Sequence, residues 1–195
     1  LIPSRDWKYK IKQQSWYPGE TLNVGIGQGY FLATPLQLTL ATASLATAGK
    51  TFTPHLFLKS IDSKTSTQSM YEHSKNQFNT SYTNLDYLDI VHHAMWRVTN
   101  ERGVGTASNL KKISGLEFAG KTGTAQVYSL DAGKSDKKKL QDHALFISYA
   151  PFTDPEIVVT VIVEHGGGGS STAAPIARDA IDFYMKSKQE VVSEK

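Results

Sequence analysis

Cysteine is absent from all 195 residues, which removes disulfide scaffolds, thiolate metal sites and cysteine nucleophiles from consideration. Long apolar runs are missing too. The longest apolar or near-apolar stretch, Ile157 to Val163 with Thr160 inside it, is far too short to cross a bilayer as a helix, and no signal-peptide pattern opens the chain. Nor is there a large excess of one charge. Lys plus Arg number 21 against 18 Asp plus Glu, and a dispersed formal charge of +3 does not describe a nucleic-acid surface. What is present, 39% apolar and 20% charged residues, fits one globular domain or a large piece of a bigger one, with enough chain for a solid core. Residue 1 is Leu rather than Met, and the chain is read as a cut or processed piece.

From Leu1 to Thr21 aromatic and basic residues alternate with turn formers, no apolar period persists, and an irregular connection is predicted. Gly25-Ile26-Gly27-Gln28-Gly29-Tyr30 follows. Thr34-Pro35 then offers an N-cap and a first-turn proline for a helix to about Ala48, stopped by Gly49. That helix is apolar nearly all round, which predicts burial. Thr51 to Leu58 reads as one strand, and Ser60 to Thr83 as a long exposed excursion. Asn84 caps a second helix through Asn100, with Leu88, Val91, Met95 and Val98 as its apolar stripe, broken by Gly103-Val104-Gly105. The last third changes period. Leu116 to Tyr128, Ala144 to Ala150 and Ile157 to Glu164 read as an antiparallel meander. A closing helix from Ala173 to about Lys186 carries Ile176, Ala180, Phe183 and Tyr184 on one side. Strands covered by a terminal helix give an α+β domain.

Gly120-Lys121-Thr122-Gly123-Thr124-Ala125-Gln126 carries the chemistry. In strand alternation Thr122, Thr124 and Gln126 share a face. Two hydroxyls there reach one carboxylate, Gly123 admits a ligand backbone, and Lys121 adds positive charge. Such a strand suits a peptide ending in a free carboxylate, although an ordinary edge strand containing Lys and Thr fits the triplet equally. A competing reading comes from Gly115-Leu116-Glu117-Phe118-Ala119-Gly120-Lys121-Thr122, which matches the phosphate-loop pattern G-x-x-x-x-G-K-T. That pattern needs a helix starting at its Lys. Here Gly123, Thr124, Val127 and Tyr128 favour strand instead.

Lys121-Thr122-Gly123 resembles the third signature of the penicillin-recognising serine enzymes, which pair it with Ser-x-x-Lys and Ser-x-Asn. Further strings agree in order: Trp16-Tyr17-Pro18-Gly19-Glu20, Gly25 to Tyr30, Ala33-Thr34-Pro35-Leu36-Gln37, Gly120 to Val127, Asp142-His143-Ala144-Leu145, Tyr149-Ala150-Pro151 and Val163-Glu164-His165-Gly166-Gly167. Together they resemble the penicillin-binding protein 2 family, the elongation-type D,D-transpeptidases of bacterial cell walls. The likeness spans nearly the whole chain except Ser60 to Thr83 and the tail after Lys186. One departure is decisive. Ser108-Asn109-Leu110-Lys111 and Ser135-Asp136-Lys137-Lys138 fit Ser-x-x-Lys by letter, and Ser74-Lys75-Asn76 fits Ser-x-Asn, but none has the context of a nucleophile opening a buried helix.

The resemblance therefore implies an incomplete penicillin-binding transpeptidase fold, with residues 1–187 as the C-terminal part of the domain and 188–195 as a polar tail. The nucleophile-bearing part lies outside the chain, so the chain alone is expected to be inactive. A non-catalytic remnant that binds wall peptide or β-lactam is the alternative. Lys121 and Thr124 take catalytic roles by resemblance, the latter through its backbone N–H as an oxyanion donor; Thr122, Gly123, Thr124 and Gln126 bind substrate or β-lactam. The resemblance implies no cofactor and no metal. Implied partners are peptidoglycan stem peptides, β-lactams, the missing N-terminal part and the wall-elongation machinery. It also implies the periplasmic face of the inner membrane, with an anchor outside this chain. Of the remaining residues, His92-His93 cannot jointly hold one ion, because neighbours on a helix point about 100° apart. Asp142-His143 lines the groove or closes a strand-end turn. Lys134 to Lys139 reads as a solvated loop or a contact for anionic glycan, lipid headgroup or partner, and Gly166 to Gly169 as a turn.

Overall fold

A computed structural model describes residues 1–51, 53–57, 59–61, 64–65, 68–70, 85–126 and 141–193. In chain order the elements are α1 (Arg5–Lys12), α2 (Pro18–Gly25), α3 (Pro35–Ala46), β1 (Lys59–Ile61), β2 (Gln68–Met70), α4 (Leu85–Asn100), β3 (Ala119–Ala125), β4 (His143–Ala150), β5 (Ile157–Val163) and α5 (Ala174–Ser193), the last entered through a π-helical turn at Gly169–Ala173. The expected meander is present. β3, β4 and β5 form an antiparallel sheet in that order, and β1 with β2 makes a separate short hairpin.

The register decides what each face of the sheet buries. Thr122 lies opposite Phe146, Thr124 opposite Ala144 and Gly120 opposite Ser148, so these residues share one face. On that face Ala144, Phe146 and Ala150 pack with Ala173, Ala174, Ala177 and Ile181 of the closing helix and its approach. Gly120 is required there, since a Cβ would stand 2.5 Å from the Phe146 ring. The opposite face carries Ala119 and Tyr149, which form a second core with Ala46 of α3 and Met95 of α4. The sheet is thus a wall between α5 and the pair α3 and α4.

Several expectations need correction. Leu1 to Thr21 is not irregular but holds α1 and the first half of α2. Neither needs an apolar period, because end contacts supply what the stripe does not. Ser4 Oγ accepts the Trp7 N–H at 3.1 Å, Pro18 opens α2, and Glu20 accepts the Tyr17 N–H at 2.8 Å. Lys8 is buried and its Nζ donates to Ser15 O at 2.8 Å and Glu20 Oε1 at 2.6 Å, with the Tyr17 ring 4.4 Å away. The Lys8 hydrogen bond, then that from Tyr17, holds the Glu20 carboxyl below the ordinary carboxylate range.

Thr51 to Leu58 forms no strand among its described residues; pairing starts at Lys59 instead. Pro54 in the middle of that run has no N–H to give a ladder. The helix after Thr34 ends at Ala46 and is not buried all round: Leu36 is 54% exposed, and the buried positions are Thr42, Ser44 and Ala46. Of the α4 stripe, Leu88 and Met95 are buried and Val98 packs on the core, but Val91 is exposed. Its expected cap, Asn84, lies outside the described residues, as do Ser74 to Asn76, Val127, Tyr128 and Lys134 to Lys139. α5 continues past Lys186 to Ser193. Its large apolar side is the outward one, with Phe183 76% exposed and Ile176 48%. The buried stripe is Ala173, Ala174, Ala177 and Ile181, because small residues let the helix approach the sheet closely.

Tyr149 is fully buried, yet its hydroxyl has no hydrogen-bond partner among the described residues, and burial pushes its pKa up to about 12. Removing an unpaired buried hydroxyl relieves a desolvation cost. Tyr149→Phe is therefore expected to leave stability unchanged or raised, whereas Tyr149→Ala loses about 3–5 kcal/mol, as read by denaturant unfolding of the polypeptide that carries this chain. Exposed Leu22, Ile26, Leu36, Ile162, Ile176 and Phe183 lead to a second expectation. The isolated 195-residue chain self-associates in sedimentation experiments; a cooperative, monomeric unfolding transition contradicts this.

Candidate active site

β3 has a hydrogen-bonded neighbour on one side only among the described strands. In an antiparallel pair, successive residues turn their N–H and C=O alternately toward the partner and away from it. Gln28 Nε2 donates to the Thr124 carbonyl at 2.8 Å from outside the sheet, so Thr124 turns both its C=O and its N–H to the open edge. Thr122 does the same. Its carbonyl accepts from Lys121 Nζ at 2.7 Å. The open edge therefore presents two N–H donors flanked by two threonine hydroxyls and an ammonium, a donor-rich strip suited to a carboxylate or a developing oxyanion.

The sequence-predicted residues separate into those on this strip and one beside it. Lys121 and Thr124 are exposed and Thr122 and Gly123 half-buried. Thr122 and Thr124 share a sheet face and Lys121 projects on the other. Gln126 is exposed but lies one residue beyond the end of β3. Gly123 faces β4, opposite Leu145; a Cβ there would come 3.2 Å from that of Leu145, so the strand pair itself already favours a small residue. Because Lys121 and Thr122 lie inside β3 and start no helix, the phosphate-loop reading falls.

Three supports of the strip were not legible as such. Thr106 Oγ1 stands 3.2 Å from Thr122 Oγ1. The turn that carries it is pinned to the end of α4: Ala107 N donates to Val98 O at 2.9 Å, and a Cβ on Gly105 would lie 2.1 Å from Arg97 O. Gln28 is the second, on a turn whose flanking Gly27 and Gly29 have φ of 74° and 72°, a conformation that favours glycine. The Gly-x-Gly spacing signalled a turn but not its target. Gly169 is the third. It is buried against the back of the strand pair, where a Cβ would meet Leu145 O at 2.5 Å and Gly123 O at 2.7 Å.

Other candidates resolve into structural roles. His92 bonds to Leu45 O at 2.7 Å and His93 stacks on Trp96; no group of three or more metal-ligating side chains occurs among the described residues. His143 Nδ1 accepts the His165 N–H at 2.9 Å, and Gly167 N donates to Asp142 O at 2.8 Å, so this pair joins the start of β4 to the turn after β5. Gly166 to Gly169 makes that turn and the entry to the π-helical segment. Ser108 is buried.

The model of the penicillin-binding protein transpeptidase domain matches residues 4–182. The chain belongs to that family. Among curated relatives, the peptidoglycan D,D-transpeptidase MrdA of Haemophilus influenzae is 41% identical over 96% of this chain and 29% of its own length, and MrdA of Salmonella typhimurium is 35% identical over 93% and 30%. The chain thus spans about 30% of the curated relatives it matches. Among solved structures, Pseudomonas aeruginosa PBP2 in complex with WCK 5153 superposes with a TM-score of 0.75 at 38% identity, covering 94% of this chain and 38% of that one. PBP2 of Helicobacter pylori, in complex with MreC, gives 0.73 at 31% identity, covering 95% and 31%. The fold is therefore the penicillin-binding transpeptidase fold, an α+β architecture built on an antiparallel sheet, present here in part, and the kinship is to its MrdA/PBP2 branch.

The contacts of Gly169 yield a stability test. Backbone oxygens cannot swing aside, so Gly169→Ala is expected to cost about 1–3 kcal/mol. The shift in the midpoint of denaturant unfolding of the polypeptide carrying this chain measures it.

Proposed function

We propose that this chain supplies the carboxylate-binding and oxyanion half of a peptidoglycan D,D-transpeptidase site, and that the acylating Ser-x-x-Lys lies in polypeptide outside it. The observation that carries the reading is the outer edge of β3, which has no neighbour among the described strands and where Thr124 turns its N–H and C=O outward beside Lys121 and Thr122. A stem peptide or β-lactam lies along this edge as an added strand. Its terminal carboxylate is held by the Thr122 and Thr124 hydroxyls, and the scissile carbonyl oxygen is directed to the Thr124 N–H.

The steps follow from that placement. The serine outside this chain attacks the carbonyl between the last two D-alanines, the oxyanion that forms is stabilised by the Thr124 N–H, and the terminal D-alanine leaves as its amine gains a proton. The acyl-enzyme then passes its acyl group to an amine on a neighbouring strand. Loss of one oxyanion donor costs such reactions about 2.7–4 kcal/mol of transition-state stabilisation. Lys121 raises the positive potential around the carboxylate and supports proton transfer to the leaving amine through the serine of the absent Ser-x-Asn. None of these steps calls for a metal or a cofactor.

The family kinship supports cell-wall elongation and shape maintenance as the setting. The relative from Helicobacter pylori forms a complex with MreC, and we extend a partner of that elongation machinery to the polypeptide carrying this chain. We place it at the periplasmic face of the inner membrane through a segment outside residues 1–195; no helix among the described residues is long and apolar enough to cross a membrane.

Fluorescent penicillin labelling tests the reading. The intact polypeptide is expected to take label at a serine upstream of this chain, while the isolated chain takes none. In the intact polypeptide Thr122→Val is expected to raise the penicillin concentration for half-labelling about tenfold, one charge-assisted hydrogen bond to the carboxylate being lost. Label on Ser108 or Ser135 would relocate the nucleophile, and no label on either form would favour a non-catalytic binding remnant.

A further inference from the structure

Thr124 lies next to the end of β3, on the side of the strand that has no neighbour among the described strands. An edge-strand end of this kind frays unless something outside the sheet holds it. Yet an oxyanion donor must be aimed before the reaction begins, because its advantage over water is that it need not reorganise. The question is what holds the two peptide planes on either side of Thr124.

The plane before it, between Gly123 and Thr124, carries the Thr124 N–H and the Gly123 carbonyl. Gly123 pairs with Leu145 of β4, and the buried Gly169 backs this pair at a separation too short for any side chain. The plane after it carries the Thr124 carbonyl. Of the side chains described, the one that reaches this group is Gln28, 96 residues away, at 2.8 Å. The reach is not accidental to a loose loop. Gln28 N donates to Asn23 O at 2.8 Å and Gly27 N to Val24 O at 3.0 Å, so the turn is built on the end of α2, and the left-handed Gly27 and Gly29 set the direction of the residue between them.

We propose that Gln28 is a positioning residue for the oxyanion donor. Its carboxamide takes the place of a neighbouring strand's N–H at the Thr124 carbonyl, fixes that peptide plane, and so keeps the Thr124 N–H aimed at the reacting carbonyl oxygen. It touches neither serine nor substrate. The inference rests on the transpeptidase reading and assigns to it a residue that the Lys-Thr-Gly signature does not include. Because the effect is on aim, it belongs to the acylation step more than to the preceding encounter.

The experiment uses the intact polypeptide and stopped-flow acylation by a chromogenic cephalosporin, which separates the pre-covalent dissociation constant from the acylation rate constant. Gln28→Ala is expected to lower the rate constant about tenfold, less than the roughly 100- to 1,000-fold seen when an oxyanion donor is removed outright, and to change the dissociation constant by less than about twofold. Gln28→Glu keeps shape and packing but, when ionised, cannot donate to a carbonyl. It is expected to match Gln28→Ala near neutral pH and to recover toward wild type as pH falls toward about 4.3, where a glutamate side chain protonates and regains a donor. A mere packing role would leave Gln28→Glu active and its ratio to wild type flat with pH. Unchanged acylation rate constants in both variants, or a loss confined to the dissociation constant, overturns the assignment. Failure of the wild-type polypeptide to acylate at all overturns the transpeptidase reading itself.

Discussion

The open side of β3 is the constraint around which the described structure is arranged. A sheet uses one side of its last strand and leaves the other with directed donors and acceptors that either pair or remain wet. In this chain two of the outward carbonyls of β3, at Thr122 and Thr124, accept from the side chains of Lys121 and Gln28. That selective occupation leaves the N–H groups as the chemistry of the edge. At Thr122 and Thr124 the acceptors are answered by side chains, and the N–H groups beside them make this stretch suited to an anion.

Keeping such a surface in place requires packing on both sides of a thin wall, and the residue choices reflect closeness more than size. Alanines at 173, 174 and 177 bring α5 onto the sheet, and glycines at 120 and 169 occupy sites where a methyl group would collide with a ring or with backbone oxygens. On the far side Ala46 and Met95 pack on Ala119 and Tyr149. Thr39 of α3 adds a hydroxyl contact to Thr160 of β5 at 2.9 Å, tying helix to sheet by a polar bond within the interface. Some large apolar residues, Phe183 and Leu36 among them, stand outside that core.

This explains what could be read from the sequence. The meander was legible because β-branched and aromatic runs announce strands with period two, and the strip on β3 was legible because its residues are contiguous. The buried side of α5 was not, since the reading followed bulk while the contact was made by alanine. α1 and α2 escaped because their order comes from caps and from the buried Lys8 with Glu20, none of which has a period. Gln28, Thr106 and Gly169 were invisible as supports of the strip for a related reason. Each is a single residue joined to β3 through space, and a turn signal such as Gly-x-Gly tells where the chain bends but not what the intervening side chain reaches.

The strip also limits its own chemistry. Its functional groups are N–H donors, hydroxyls and one ammonium, all suited to holding negative charge. Two imidazoles are engaged elsewhere: the Nδ1 of His143 accepts the backbone N–H of His165, and His92 bonds to Leu45 O. Ser108, which shares the Thr106 turn, is buried. Donors set along a strand edge in this way bind and polarise a carboxylate or a carbonyl oxygen.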